Sequence, residues 1–344
     1  MDVFRRVTWA IAGLALGVHP VLAEEGESDD GPVGSLAAVP VDRGIVSSPG
    51  RFTLEPAFSY AHSNSTLVAV EGYTVIPALV VGLINVSQVQ RDIFTTALSF
   101  KYGWTSRLET SLRVPWLSIR EDIRERQAFE GTPVDNVRAS SGDGLGDVEL
   151  NMRYQFNDGF AGWPYFLGTL RIKSNSGEGP YDVGRRPLRD SEGSVIGEEL
   201  TERPTGSGFW AVEPGLSLIY PSDPAVLFGN LSYAWNFERD VGEENGGTIN
   251  PGNVVRFGFG MGFAVNEKTS FSVAYDHAVI QDTTVENDND LLSSEFKRLQ
   301  VGSLSFGLSQ RLTRDTRINL SVTIGATEQA PNTEIGLKVP IAFN

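Results

Sequence analysis

The chain contains no cysteine and only three histidines in 344 residues, and these two shortages exclude several classes of protein. Without cysteine there is neither a disulfide framework nor a thiol nucleophile. Removal of the leader described below leaves His62 and His277. Two scattered histidines do not suit a histidine-rich zinc site, and neither has the sequence context of a serine hydrolase. We therefore expect no catalytic residues, no cofactor and no metal site.

Basic residues are also scarce, since 28 Lys and Arg stand against 43 Asp and Glu and the formal net charge is −15. A surface that binds nucleic acid should be basic, so we expect no nucleic-acid partner. The acidic stretch 286–290 lacks the glycine and the distal glutamate of an EF-hand loop, although weak calcium binding by such a surface loop stays open.

Long apolar segments are missing beyond the N-terminus. Arg5 and Arg6, an apolar run over 7–18 and the small-residue site 21–23 predict a signal peptide over residues 1–23. The apolar run is shorter than the ~20 residues that span a bilayer as a helix. Residues 24–50 are rich in acid, Gly, Ser and Pro and predict a periplasmic linker or tail, with a plug that enters a barrel as the alternative.

From residue 51 to 344, apolar and polar residues alternate with a period of two, which is typical of strands with one apolar and one polar face. In the last strand, for example, Ile335, Leu337 and Val339 share one face. The predicted strands are 51–61, 92–103, 108–119, 146–156, 164–174, 209–220, 226–237, 254–265, 269–280, 299–312, 316–326 and 333–343.

The connections alternate between long and short. The tight ones are 103–107, 157–163, 221–225, 266–268 and 313–315, and the long ones, predicted as loops, are 62–91, 120–145, 175–208, 238–253 and 281–298, with a modest one at 327–332. This alternation of long and short connections predicts an all-β transmembrane antiparallel up-and-down β-barrel of about twelve strands with both termini on the periplasmic side. A soluble sandwich or lipocalin-like barrel is the structural alternative. It would place its charges outside, whereas here the charges fall on the parity opposite to the apolar residues.

Two places do not fit a simple alternation. The connection 62–91 is unusually apolar within 63–89, and it could fold inward, pair as an extra hairpin to give fourteen strands, or extend its two strands above the membrane. In the strand 299–312 the apolar parity slips between Val301 and Leu304, which predicts a β-bulge near Gly302.

Charged residues on the polar parity are the candidate lining of a solute path. They are mixed in sign, so pairs such as Glu149 with Arg171, or Glu109 with Arg153, are expected across neighbouring strands. The alternative role is cross-bracing of a filled interior. The ten candidates are Glu55, Glu109, Arg113, Glu149, Arg153, Arg171, Glu213, Arg256, Asp276 and Lys338.

The segment from Gly142 to Phe156 contains Gly144-Leu145-Gly146-Asp147, followed at fixed spacing by Leu150 and Arg153-Tyr154. This pattern resembles the signature of the outer-membrane family named after the MetA pathway of phenol degradation. Similar stretches occur at 108–115, 205–220, 233–241 and 337–341, so the resemblance extends over nearly all of the chain from about residue 43. It implies an outer-membrane barrel that transports small organic compounds, aromatic ones among them.

The expected function is a passive outer-membrane channel for small organic solutes, hydrophobic or aromatic in character. A non-conducting structural or surface-interaction barrel is the second hypothesis, and an outer-membrane hydrolase is the weakest. The expected partners are outer-membrane lipid, the small organic solutes, and the outer-membrane assembly machinery, which would bind the terminal strand ending in Phe343-Asn344.

Overall fold

The structure is a computed structural model and describes residues 46–76, 79–127, 135–159, 162–189, 195–242, 247–286, 294–296 and 298–343. The predicted signal peptide and most of the predicted linker lie outside these residues. No helix long and apolar enough to cross a membrane occurs in the described ranges.

The described chain is built from twenty β-strands. They are β1 Phe52–Ile76, β2 Leu79–Gly103, β3 Leu108–Gln127, β4 Asp135–Leu145, β5 Glu149–Gln155, β6 Tyr165–Lys173, β7 Arg185–Arg189, β8 Val195–Leu200, β9 Ala211–Pro221, β10 Ala225–Asn236, β11 Arg239–Asp240, β12 Thr248–Asn250, β13 Val254–Ala264, β14 Thr269–Ile280, β15 Thr283–Glu286, β16 Ser294–Phe296, β17 Leu299–Arg311, β18 Arg317–Gly325, β19 Thr333–Lys338 and β20 Ile341–Phe343.

The main sheet closes on itself as a twelve-strand antiparallel barrel. Its order is β1-β2-β3-β5-β6-β9-β10-β13-β14-β17-β18-β19, and β19 pairs again with β1. Two wall strands consist of two pieces each: β4 and β5 both pair with β3, while β19 and β20 both pair with β1. The predicted fold class and the count of twelve are confirmed. Closure also leaves no open sheet edge to lipid.

The outer face of the wall is apolar. Phe257, Phe259 and Met261 of β13 are exposed on it, while the intervening glycines face inward. A Cβ on Gly260 would lie 2.4 Å from the ring of Phe228, so glycine at this position makes room for an inward phenylalanine. An exposed apolar band around a closed barrel is stable only in lipid, and the protein is an outer-membrane protein.

Aromatic side chains mark the edges of this band, as expected at the membrane interfaces. Tyr102 and Trp104, at the short-turn end, contact each other edge to face with ring centroids 4.8 Å apart. Trp235 and Phe237 stack at the opposite end of β10 with centroids 6.4 Å apart. The short-turn end is the periplasmic end.

The five tight connections lie where the sequence predicts them, between β2 and β3, β5 and β6, β9 and β10, β13 and β14, and β17 and β18. At the extracellular end the longer connections carry strands of their own. β7 and β8 form a hairpin within the connection from β6 to β9. Strands from two other connections form a four-stranded sheet in the order β11-β12-β15-β16.

The expectation of a long loop at 62–91 is wrong. β1 and β2 stay paired from the periplasmic end to Ile76 and Leu79. Of the three alternatives, the backbone therefore follows the one in which the connection extends its two strands. The predicted loop 120–145 is likewise mostly strand, because β3 continues to Gln127 and β4 pairs beside it.

The predicted bulge near Gly302 is also wrong. β17 pairs with β14 without a register shift from Leu299 to Gln310. The apolar Val301 faces inward, where it packs with Val254 and Ile280, and this explains the apparent change of parity. Gly302 faces outward, and a Cβ there would lie 2.8 Å from the hydroxyl of Tyr275.

Candidate solute path through the barrel

All ten candidate residues lie on the inner face of the wall. On each strand the candidate alternates in step with the buried residues, whereas the residues between them are apolar and exposed on the outer face. Glu55, Glu109, Glu149, Arg171 and Glu213 are each less than a tenth exposed. Their burial inside the barrel supports the parity argument. Their role as a solute path stays a prediction.

A chain of ion pairs crosses half of this inner wall. Arg113 Nη1 lies 3.8 Å from Glu149 Oε2, and Arg171 Nη1 lies 3.1 Å from Glu149 Oε1. Arg171 Nε in turn donates to Glu213 Oε2 at 3.0 Å, and Arg256 Nη1 donates to the same oxygen at 2.7 Å. Bases and acids therefore alternate from β3 to β13, with a base at each end.

The two pairs expected from the sequence, Glu149 with Arg171 and Glu109 with Arg153, are both present. The second pair is looser, with 3.8 Å between Arg153 Nη1 and Glu109 Oε1. Strand register explains both pairs, since Glu109 lies directly opposite Arg153 and Glu149 lies two positions from Asn151, the residue opposite Arg171. Opposite charges across neighbouring strands stabilise the pairing of those strands.

The N-terminal segment 46–50 occupies part of the periplasmic mouth. The backbone amide of Ser47 donates to Glu109 Oε2 at 2.8 Å, and its hydroxyl donates to the same oxygen. Val46 packs among Leu167, Ile219 and Phe228, which lie on wall strands well away from β1. Residues 46–50 therefore contact the inner wall, while the linker or tail over 24–50, with a plug as the alternative, stays a prediction.

Asp147 of the Gly-Leu-Gly-Asp motif holds an extracellular connection against the wall. Its carboxylate accepts hydrogen bonds from the amides of Gly177 at 3.1 Å and Ser207 at 2.9 Å, and Lys173 Nζ lies 3.7 Å away. A Cβ on Gly146 would lie 2.4 Å from Leu117 Cδ1, so the motif needs glycine for close packing. The sequence indicated a glycine-rich entry into the barrel but not this anchoring role.

A second buried cluster ties the same connection to the wall. Arg91 Nε donates to Glu121 Oε2 at 2.7 Å, and Arg203 Nη1 lies 3.0 Å from Glu121 Oε1. Arg203 Nε also donates to Ser140 Oγ at 2.6 Å. These residues are not among the predicted lining because 120–145 was predicted to be a loop; correct strand limits would have placed Arg91 directly opposite Glu121.

One exposed ion pair joins two extracellular connections. Arg239 donates to both carboxylate oxygens of Asp182, at 2.6 and 3.0 Å, and to the carbonyl of Gly208 at 3.0 Å. Hydrogen bonding to Arg239 holds the pKa of Asp182 below its ordinary value, and the same hydrogen bond raises the pKa of Arg239.

Both remaining histidines lie on the outer face. His62 Nδ1 lies 2.8 Å from Asp92 Oδ1, which also accepts from the hydroxyl of Tyr60 at 2.7 Å. His277 Nδ1 lies 2.9 Å from the hydroxyl of Tyr275. These partners hold the two imidazoles at the wall exterior. Among the described residues, no cluster of three or more His, Asp or Glu side chains is placed to bind a metal ion.

The family model described as "Putative MetA-pathway of phenol degradation" matches residues 195–343. This match includes the similar stretches at 205–220, 233–241 and 337–341, so the resemblance to the family is confirmed over residues 195–343, whereas the Gly-Leu-Gly-Asp motif lies before the matched residues. The crystal structure of the COG4313 outer membrane channel from Pseudomonas putida F1 overlays with a TM-score of 0.55 at 13% identity, over 89% of this chain and 99% of that chain. At this identity the likeness shows the fold.

The toluene transporter TodX from Pseudomonas putida overlays more loosely. Its TM-score is 0.40 at 10% identity, over 90% of this chain and 92% of that chain. A TM-score this low carries no argument about this chain.

Proposed function

We propose that this chain, which matches the family of the MetA pathway of phenol degradation over residues 195–343, forms a passive outer-membrane channel for small organic solutes of hydrophobic or aromatic character. The observation that carries the proposal is a closed barrel whose inner wall is lined with charged and hydroxyl side chains while its outer wall is apolar. Such a wall separates a polar interior from lipid.

The path runs along the ten inner-face residues named above, among which Glu213 is shared by Arg171 and Arg256 at one end of the ion-pair chain. A twelve-strand barrel lies between small filled barrels and wide porins. Segment 46–50 and the connection anchored by Asp147 narrow it further at its two ends. These features favour small solutes over bulk flow.

The role of the barrel is transport rather than catalysis. The barrel is inserted into the membrane by the outer-membrane assembly machinery, which recognises the terminal strand. Phe343 of β20 is outward and lies opposite Phe52, with ring centroids 6.0 Å apart, so the barrel seam ends in an aromatic pair. Phe343, the residue before Asn344, is the aromatic position that we propose the machinery binds.

The second candidate is a non-conducting barrel whose interior is cross-braced. The observation that favours it is the density of buried ion pairs along β3, β5, β6, β9 and β13, together with a periplasmic mouth that segment 46–50 partly occupies.

Liposome swelling with phenol, benzoate, benzamide and a disaccharide distinguishes the two candidates. The channel proposal predicts entry of the small aromatic solutes and exclusion of the disaccharide. A correctly folded barrel that admits none of these solutes would reject the channel in favour of the cross-braced barrel.

A further inference from the structure

Basic residues gather on the inner face of three adjoining strands at the periplasmic end. Arg311 ends β17, Arg317 begins β18, and the two lie directly opposite each other in the register. Lys338 of β19 lies opposite Asn319, which is two positions from Arg317 and therefore on the same face of β18. We call Arg311, Arg317 and Lys338 the basic arc.

The two arginines are close. Directly opposite residues of antiparallel strands have their Cβ atoms about 4.5–5.5 Å apart, and like charges in that relationship repel. Arg317 and Lys338 also make further interactions within the barrel. The inference therefore rests on the sum of charge at this end of the lumen and not on vacant hydrogen-bond donors.

Two acids lie on segments beside the arc, Asp315 in the turn between β17 and β18 and Glu55 on β1, and each has a base close to it. Asp315 Oδ1 lies 2.8 Å from Arg51 Nη2, and Glu55 lies 3.2 Å from Lys101 Nζ. Neither Arg51 nor Lys101 belongs to the arc. Each of these two acids is matched by a base outside the arc, so the summed charge on this side of the mouth is positive.

The facing part of the wall does not supply an excess of acid. Its ion-pair chain begins with Arg113 and ends with Arg256, so bases outnumber acids along it. Glu109, nearer the mouth, is shared by Arg153 and by the amide and hydroxyl of Ser47. The sign of the periplasmic mouth is thus set by the basic arc.

We infer that the periplasmic end of the lumen selects for anions, so that the preferred solutes are small organic anions such as aromatic carboxylates. The inference rests on the proposed channel function and names its solute class. It runs against the formal net charge of −15, which taken alone would predict attraction of cations. Basic side chains lining a narrow pore attract anions by their local field, whatever the charge of distant loops.

The test is the reversal potential of the full-length mature chain in planar bilayers under a potassium chloride gradient. The wild type should be more permeable to chloride than to potassium. Removing one charge at ~5 Å in a water-filled pore should change the permeability ratio about twofold to fourfold after screening by salt. Arg311→Gln and the double variant Arg311→Gln/Arg317→Gln should therefore move the reversal potential stepwise towards cation preference.

Matched variants distinguish the effect of the electric field inside the lumen from a general effect of losing one positive charge. Arg107→Gln removes the same charge from a periplasmic turn outside the lumen, where Arg107 pairs with Asp158, and it should leave the reversal potential unchanged. Arg311→Lys keeps the charge and should keep the chloride preference. Relief of the Arg311–Arg317 repulsion means that the neutral variants should fold, which a heat-dependent gel shift checks.

Two results would overturn the inference: conductance in the wild type that favours potassium, or equal shifts in Arg311→Gln and Arg107→Gln. Swelling assays give an independent outcome, since benzoate should enter faster than neutral benzamide of similar size. The absence of any conductance or swelling would reject the proposed channel itself and is distinguishable from a conducting pore with the wrong selectivity.

Discussion

Arg171 Nε donates to Glu213 Oε2 at 3.0 Å from a neighbouring strand, and both side chains are almost fully buried inside the barrel. The same carboxylate oxygen accepts from Arg256, while the other accepts from the hydroxyl of Ser232. Glu213 of β9 therefore binds Arg171 of β6, Ser232 of β10 and Arg256 of β13, and so links four strands of the wall.

The first prediction concerns this acid. Glu213→Ala leaves Arg171 and Arg256 without their shared carboxylate, and removal of one partner of a buried ion pair typically costs about 3–5 kcal/mol. We expect a lower midpoint in urea unfolding of the vesicle-inserted barrel. Glu267→Ala, in an exposed periplasmic turn, is the control and should unfold like the wild type. Equal midpoints for both variants would show that the ion-pair chain does not stabilise the wall.

The second prediction concerns the anchor of the extracellular connection. Asp147→Ala removes the acceptor of the Gly177 and Ser207 amides. A hydrogen bond to a charged group contributes about 1.5–3 kcal/mol, so hydrogen exchange at these amides should be roughly tenfold to a hundredfold faster. Asp143→Ala alters an exposed acid of the same motif and should leave the exchange unchanged. Unaltered exchange in Asp147→Ala would contradict the anchoring role.

The third prediction is a pH dependence of the contact between Asp182 and Arg239. The pKa of Asp182 is lowered below its ordinary 3.8 by the hydrogen bond from Arg239, so the carboxylate stabilises the contact above that pH. The contribution is lost as the pH falls through the lowered value. Because the pair is about a third exposed, we expect less than ~1 kcal/mol from it.

Protease accessibility of these two connections checks the third prediction. Cleavage near Asp182 should be equal at pH 7 and pH 5 and should increase only below about pH 4. Asp182→Asn should be cleaved faster than the wild type at pH 7 and pH 5, and the difference should disappear as the pH falls below about 4. An increase already between pH 7 and pH 5 would mean that another group controls the contact.

Much of the fold could be predicted from the alternation of apolar and polar residues along the sequence. The places where that prediction failed have physical causes. Period two identified the wall strands and placed all ten charged candidates on the inner face, because lipid excludes charge from the outer one. The rule assumed a polar interior. It failed at Val301, which belongs to an inward apolar cluster with Val254 and Ile280.

Contacts between distant segments were not readable from the sequence. Ser47 reaches Glu109 across 62 positions of the chain, and no local pattern indicates that a short polar segment turns into the lumen. The anchoring of Gly177 and Ser207 by Asp147 is equally non-local. By contrast, Glu149–Arg171 and Glu109–Arg153 could be predicted, since parity and neighbouring strands were enough.

The central claim is that water reaches the inner face of the wall while lipid covers the outer face. The absence of cysteine permits a direct test with single cysteines at two successive positions of β17, the outward Leu304 and the half-buried inward Ser305. In the vesicle-inserted barrel, Ser305→Cys should react with a small water-soluble thiol reagent and Leu304→Cys should not. Reaction of Leu304→Cys alone, or of neither cysteine, would contradict a water-accessible path through the barrel.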